Sequence, residues 1–91
     1  MKAPQSIAAA LERWALQVSQ EVVGKRDGLT VATYAIVGVG ILVWTSEDPA
    51  VFILSRPAGD ATIALSRLDW FCAAAVIEQA RHFNPKTRIN Q

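Results

Sequence analysis

Residues 28–46 read GLTVATYAIVGVGILVWTS and contain no Asp, Glu, Lys, Arg or His. A run of this kind has to be hidden from water in a protein core, in a subunit interface or in a bilayer. Its density of Val, Ile, Thr, Tyr and Trp favours strands. We therefore predict strands over 29–37 and 40–46, with Gly38 and Gly40 marking a tight hairpin or bulge between them.

The predicted sheet continues beyond this run. Residues 50–55 and 61–65 read as further strands, and turns rich in Pro, Gly and Asp separate them from each other and from the run. Strict alternation of apolar and polar residues is missing in the first two strands, so both faces of the sheet are predicted to be apolar. A sheet of this kind is covered on both sides. One face would take the helices, and the other needs a second copy or another protein.

A helix is predicted on the N-terminal side, over residues 5–23. Its apolar residues recur at spacings of three and four, as one helix face requires; they are Ile7, Leu11, Trp14, Val18 and Val22. Gly24 is a credible stop signal, followed by Lys25 and Arg26, whose charge suits a helix C-terminus.

A second helix is predicted from Ser66 to about Phe83. Ser66 is expected to cap it, with Asp69 completing a capping-box-like arrangement. Asn84-Pro85 ends the pattern, because the residue before a proline disfavours helical geometry. The predicted fold is thus α+β: an N-terminal helix, an antiparallel meander of three to four strands and a C-terminal helix. It forms a single domain over 1–85, with a polar C-terminal tail over 86–91.

Composition limits the functional classes. Of the 91 residues, 52% are hydrophobic and 19% are charged, and the net charge is +1. A small chain with surplus apolar surface tends to bury it against a partner, and no global field attracts nucleic acid or acidic lipid. The single cysteine, Cys72, excludes an intramolecular disulfide, and the N-terminus lacks the order of a signal peptide. A cytoplasmic location is the expectation.

No catalytic, cofactor or metal-binding pattern is present in the sequence. His82 and Cys72 are ten positions apart, which is not a metal-ligand spacing. We expect Cys72 to be a buried small hydrophobe and His82 a surface residue at a helix end. Gly38-Val39-Gly40 lacks the third glycine and the helix of a dinucleotide-binding loop. The chain is therefore expected not to be an enzyme and to have no small-molecule substrate.

The remaining role is contact with proteins. We expect a small interaction module, namely a stoichiometric binder, an inhibitor or an accessory assembly subunit, of bacterial or phage origin. It would act as a homodimer, or on another protein, through an apolar sheet face or edge strand. The interface candidates are the apolar residues at even positions of the strands, with Tyr34, Trp44 and Phe52 as anchors; the set is Tyr34, Ile36, Leu42, Trp44, Phe52 and Leu54. The other possibility for the aromatic anchors is that they fill the core of their own chain.

A membrane-anchored subunit is the first alternative. Residues 29–45 would form a transmembrane helix, which at about 1.5 Å per residue is barely long enough to span a bilayer core of about 30 Å. Lys25 and Arg26 precede the run, and Glu47 and Asp48 follow it. Two glycines and the richness in β-branched residues argue for strands instead.

Single-stranded nucleic-acid binding is the second alternative. Residues 61–71, which continue into the second helix, resemble the closing strand and helix of PUR-type and whirly-type single-strand binders. The resemblance covers about a quarter of the chain and implies a four-strand-plus-helix module that dimerises and binds a strand on an exposed sheet. The chain departs from that pattern because no Lys or Arg occurs between Asp27 and Ser55, where such a sheet needs basic residues.

Overall fold

A computed structural model describes residues 3–83, which form an N-terminal helix, one five-stranded antiparallel sheet and a C-terminal helix. The strands follow each other in sequence order across the sheet. In chain order the elements are α1 (Ala3–Arg13), β1 (Val18–Arg26), β2 (Leu29–Ile36), β3 (Gly40–Thr45), β4 (Val51–Arg56), β5 (Gly59–Ala64) and α2 (Leu68–Phe83). The predicted α+β class is confirmed. The polar tail predicted over 86–91 lies outside the described residues, as does Asn84-Pro85.

The sheet has one strand more than the meander of three to four that the sequence predicts. The additional strand is β1, which occupies the second half of the helix predicted over 5–23. That prediction is wrong beyond Arg13: α1 ends there, and Ala15 has a left-handed φ of 57° that no helix continues through. Gly24, read as a helix stop, lies inside β1 and pairs with Val31.

Both helices lie on one face of the sheet. Their apolar sides meet the even-numbered residues of β2, β3 and β4 in one continuous core, and Phe52 and Phe71 make an edge-to-face contact with ring centroids 5.3 Å apart. Buried core residues are Ile7, Ala10, Leu11, Leu16, Ala32, Tyr34, Ile36, Leu42, Trp44, Phe52, Leu54, Leu68, Phe71, Cys72 and Ala75.

Tight hairpins connect the first three strands. Asp27 and Gly28 have φ of 54° and 80°, as a two-residue type I′ turn requires. Gly38, with φ of 77°, lies in the loop between β2 and β3, so the predicted hairpin there is confirmed. A Cβ at Gly38 would lie 2.6 Å from the Cβ of His82, so α2 also limits this position to glycine.

The start of α2 differs from the predicted capping box. Ser66 lies within a 3-10 turn over Leu65–Arg67, and α2 begins after it. Asp69 instead accepts hydrogen bonds from the Arg13 guanidinium at 2.6 Å and from the Trp14 indole at 3.2 Å. These contacts hold the end of α1 against the first turn of α2, and they hold the pKa of the Asp69 carboxyl below its ordinary value.

Gln79 is the buried polar side chain of α2 and connects that helix to two other segments. Its Nε2 donates to the carbonyl oxygens of Val37 at 2.7 Å and Gln17 at 3.1 Å. Its Oε1 accepts from the backbone N–H of Gln17 at 2.8 Å. One side chain thereby satisfies backbone groups of the α1–β1 connection and of the β2–β3 loop.

Replacing Gln79 with Leu should destabilise the protein by about 1–3 kcal/mol, because it leaves the Gln17 N–H and the Val37 carbonyl oxygen without their side-chain partner at a partly buried site. The Gln17 carbonyl oxygen keeps its bond from the Val37 N–H. Equilibrium unfolding in urea measures the change. The matched control is Glu78→Leu, an exposed neighbour on the same helix, which should change stability by less than about 0.5 kcal/mol. Equal effects of the two substitutions would contradict the role assigned to Gln79.

Candidate functional site

The face of the sheet that points away from both helices is a surface that no other element of residues 3–83 covers. Side chains alternate between the two faces along a strand. Because the even-numbered residues of β2, β3 and β4 are buried under the helices, their odd-numbered neighbours point to the other side. We call this side the open face. One cross-strand row through its centre is Val22, Thr33, Val43, Ile53 and Thr62.

A second row runs parallel to the first on the open face. It consists of Gln20, Ala35, Ile41, Ser55 and Asp60. Val31, Thr45, Val51 and Ala64 lie on the same side nearer the other end of the strands. The open face is therefore built from β-branched and hydroxyl side chains, which strongly favour strand conformation.

The open face is uncharged over its middle. Its charged residues are Arg26 and Asp60, each close to a hairpin turn. Val22, Ile41 and Ile53 are 50%, 43% and 38% exposed, which is high for large aliphatic side chains on a sheet. Five strands about 4.8 Å apart and about 20 Å long give a face of about 500 Å², polar residues included, so its apolar part is of the size of the largest apolar patch on an ordinary monomer, which is often functional.

The six interface candidates predicted from the sequence lie on the opposite face. Tyr34, Ile36, Leu42, Trp44, Phe52 and Leu54 are all buried beneath the helices, with 0–6% of their surface exposed. The structure brings them together as the chain's own core, which is the other possibility that the sequence left open for the three aromatic anchors. Their alternate neighbours along the same strands form the open face.

Two of these core aromatics carry polar groups, and each group has a backbone partner. The Tyr34 hydroxyl donates to the carbonyl oxygen of Pro4 at 2.9 Å, and the Trp44 indole donates to the carbonyl oxygen of Pro49 at 3.1 Å. Burial, with a smaller contribution from the charge of Glu21, raises the pKa of Tyr34. These bonds hold both rings in place beneath the helices.

A signal in the sequence distinguishes the two faces. Tyr34, Trp44 and Phe52 are all the aromatic residues of the strands, and they fall on the same face once the strands are paired. The open face has no aromatic side chain, and its middle is made of aliphatic and small polar residues. Large rings are needed to fill the space between a sheet and the helices above it, so their clustering indicates the helix-covered side.

A groove between α2 and β5 is a second concave surface. It has a volume of about 380 Å³, with Ile63 of β5 and Trp70 and Phe71 of α2 among its lining residues. Trp70 is 58% exposed and stacks beneath the guanidinium of Arg67 at 4.7 Å. Arg56 and Glu78 also line this groove, so it is more polar than the middle of the open face.

The residues considered for chemistry are separated. Cys72 is buried in the core, as the sequence predicts, and burial raises the pKa of its thiol to about 11. His82 is exposed in the last turn of α2, also as predicted. Among residues 3–83, no three His, Cys, Asp or Glu side chains come together as a metal-holding group.

Comparison of the chain with protein-family models, with curated proteins and with solved structures gave no significant match. The residues of the membrane alternative, 29–45, form β2, β3 and the loop between them rather than a helix. Within the described part of the chain, neither helix has the length and apolar character needed to cross a membrane.

The raised pKa values of Cys72 and Tyr34 predict that stability falls at alkaline pH. Each group keeps its proton in the folded state at a pH where the unfolded chain has lost it, so unfolding is favoured as pH rises. The loss begins near the ordinary thiol pKa of about 8.5 and is at most about 1.4 kcal/mol per pH unit for each group. For Cys72 it continues up to the folded value of about 11.

Urea unfolding at a series of pH values from neutral to alkaline measures this loss. Cys72→Ala should lower stability at neutral pH through lost packing, yet reduce the steepness of the alkaline decline. Tyr34→Phe removes the other group and serves as the matched comparison. Equal steepness in the original chain and in both variants would contradict the assignment.

Proposed function

We propose that this protein is a small non-catalytic protein–protein interaction module that binds another protein through the open face of its sheet. The observation that carries the proposal is the row of uncharged side chains through the middle of that face, which no element of residues 3–83 covers. Burying such a patch against a partner removes apolar surface from water and leaves few charged groups to desolvate.

The character of the patch indicates what kind of partner it fits. Val43 and Ile53 form an apolar centre, Val22 lies at the β1 end of the same row, and Thr33 and Thr62 add hydroxyl groups within it. A complementary surface would present aliphatic or aromatic side chains to the centre and hydrogen-bonding groups to the threonines. A stoichiometric binder, an inhibitor or an accessory subunit, of bacterial or phage origin, would act in this way.

Charge distribution disfavours the nucleic-acid alternative relative to this proposal. A sheet that binds single strands combines aromatic rings with basic residues along the backbone path. The aromatic side chains of the strands lie in the core, and the basic residue of the open face is Arg26 beside the first hairpin turn. Contact with a protein surface requires neither feature.

Substituting Val43 or Ile53 with Lys should abolish partner binding while the fold is retained. Both side chains lie on the open face, where a lysine can extend into water in the free protein but leaves an unpaired charge in an interface. The tagged chain and each variant are used as bait in extracts of the source cells, and circular dichroism confirms folding. The bound protein is then purified and its dissociation constant measured by calorimetry at two salt concentrations.

The matched control is Ile77→Lys, since Ile77 is also a large exposed aliphatic residue, but on α2. We expect the original chain and this control to retain the partner, and both open-face variants to lose it. The dissociation constant of the complex should change little between the two salt concentrations. A partner that the open-face variants retain would contradict the proposed surface. Binding that weakens steeply with salt and is abolished by nuclease would support the nucleic-acid alternative instead.

A further inference from the structure

β1 is one of the two edge strands of the sheet, β5 being the other, and its outer edge pairs with no strand of the described residues. Its neighbour is β2, and its other edge faces outward. Every residue from Ser19 to Arg26 is exposed, and Val22 and Val23 each expose about half of their surface, at 50% and 51%. An exposed strand edge offers unpaired N–H and C=O groups to another strand, and natural proteins usually cover or disrupt such edges.

The hairpin geometry identifies which backbone groups are free. The type I′ turn at Asp27-Gly28 makes Arg26 and Leu29 a hydrogen-bonded pair, and hydrogen-bonded pairs then alternate along the ladder. Lys25 and Thr30 therefore form a non-hydrogen-bonded pair. The bonds of Thr30 confirm this, because its N–H donates to the Ser46 hydroxyl and its carbonyl oxygen accepts from the Ser46 N–H, both on the side of β3.

The same alternation applies further along β1. Gly24, Val22 and Gln20 direct their backbone groups to β2. Glu21, Val23 and Lys25 direct theirs to the open edge. The ladder is regular from Gln20 to Arg26 and is interrupted by a shift between Val18 and Gln20. Val23 is the middle residue of this regular segment.

We infer that β1 pairs antiparallel with β1 of a second copy of this chain, with Val23 facing Val23 of the partner subunit on the two-fold axis. In this register the three outward-facing residues of each strand face one another, which gives about six backbone hydrogen bonds. Registers centred on Val22 or Gly24 keep about four of these bonds within the regular segment. The outcome is a continuous ten-stranded sheet.

Charge complementarity selects the same register. Glu21 faces Lys25 of the partner subunit, and the two-fold axis repeats that pair at the other end. Opposite charges directly across an antiparallel pair stabilise it, whereas like charges destabilise it. A register centred on Glu21 would instead place two carboxylates opposite each other, and one centred on Lys25 would oppose two ammonium groups.

The side chains divide between the two sides of the doubled sheet. Glu21 and Val23 lie opposite Tyr34 and Ala32, which are core residues, so the charged pairs are on the helix-covered side. Val22 lies on the open face. The open faces of the two copies would therefore form one continuous surface across the two-fold axis. No charged pair would lie between the central row of one copy and that of the other. The pairing rests on the edge alone and stands whether or not the open face binds a partner.

Charge exchange in the full-length chain tests the pairing and its register together. Sedimentation equilibrium at low salt gives the dimer dissociation constant, and the original chain should sediment at twice its mass of 9.9 kDa. Glu21→Lys and Lys25→Glu should each raise the dissociation constant by about tenfold or more, because each creates two like-charge pairs. The double variant carrying both substitutions should restore it to within about threefold.

An equimolar mixture of the two single variants is the sharpest measurement. Each variant alone repels itself, but Glu21→Lys paired with Lys25→Glu has opposite charges at both ends, so the mixture should dimerise. Val43→Lys, on the open face, is the control that should leave the dimer unchanged, and circular dichroism checks that all variants fold.

Three outcomes would overturn the inference. The first is an original chain that stays monomeric at all accessible concentrations. The second is a dimer that is insensitive to the single charge changes and lost in Val43→Lys, which would place it on the open face. The third is a failure of both the double variant and the mixture to restore association, which would exclude this register.

Discussion

A single sheet has two faces, and this chain places both of its helices on the same one. This arrangement determines where the core lies and which face of the sheet is left uncovered. The layer between sheet and helices is filled by the large aromatic side chains of the strands, Tyr34, Trp44 and Phe52. The Tyr34 hydroxyl and the Trp44 indole N–H donate to nearby backbone carbonyl oxygens. The opposite face keeps aliphatic and hydroxyl side chains, because nothing within residues 3–83 requires bulk there. A one-sided core therefore leaves the other face uncovered, and the odd-numbered residues of the central strands make much of that face apolar.

The two helices also need to be fixed relative to the sheet, and polar contacts supply this. Gln79 bonds α2 to the backbone of Gln17 and Val37, while Asp69 bonds the start of α2 to the end of α1. The Gln79 bonds are partly buried, so their loss leaves backbone groups unsatisfied where access to water is restricted. The Asp69 contacts are exposed and correspondingly weaker. Among the polar contacts of α2, the Gln79 bonds therefore contribute more to its orientation than those of Asp69, and the core packing of Leu68, Phe71, Cys72 and Ala75 adds to them.

Most of the fold could be predicted from the sequence because strand and turn signals coincide. The charge-free run, the Asp27-Gly28 turn and the later turns mark β2 to β5, and α2 has a long apolar pattern. The strand β1 could not be recognised in the same way. Val18 and Val22 are spaced by four, which suits one face of a helix but which a strand also permits. In β1 the shift of register between Val18 and Gln20 places Val18 opposite Ile36 against the core and Val22 opposite Thr33 on the open face. Only the spacing of three between Leu11 and Trp14 is specific to a helix, and it falls where α1 ends.

The location of the open face depends on information that the sequence carries only weakly. Both residue sets along β2 and β3 are apolar, so alternation alone does not say which set the helices cover; side-chain size does. Recognising β1 as an edge strand changes what its charged residues can contact, because on an edge strand they can pair with residues of a second strand. Glu21 lies near the end of the predicted helix and Lys25 just beyond it, but on the strand they are equidistant from Val23. A strand with opposite charges equidistant from its centre is complementary to an antiparallel copy of itself, so these charges support the proposed pairing of β1 with a second copy only once β1 is recognised as a strand.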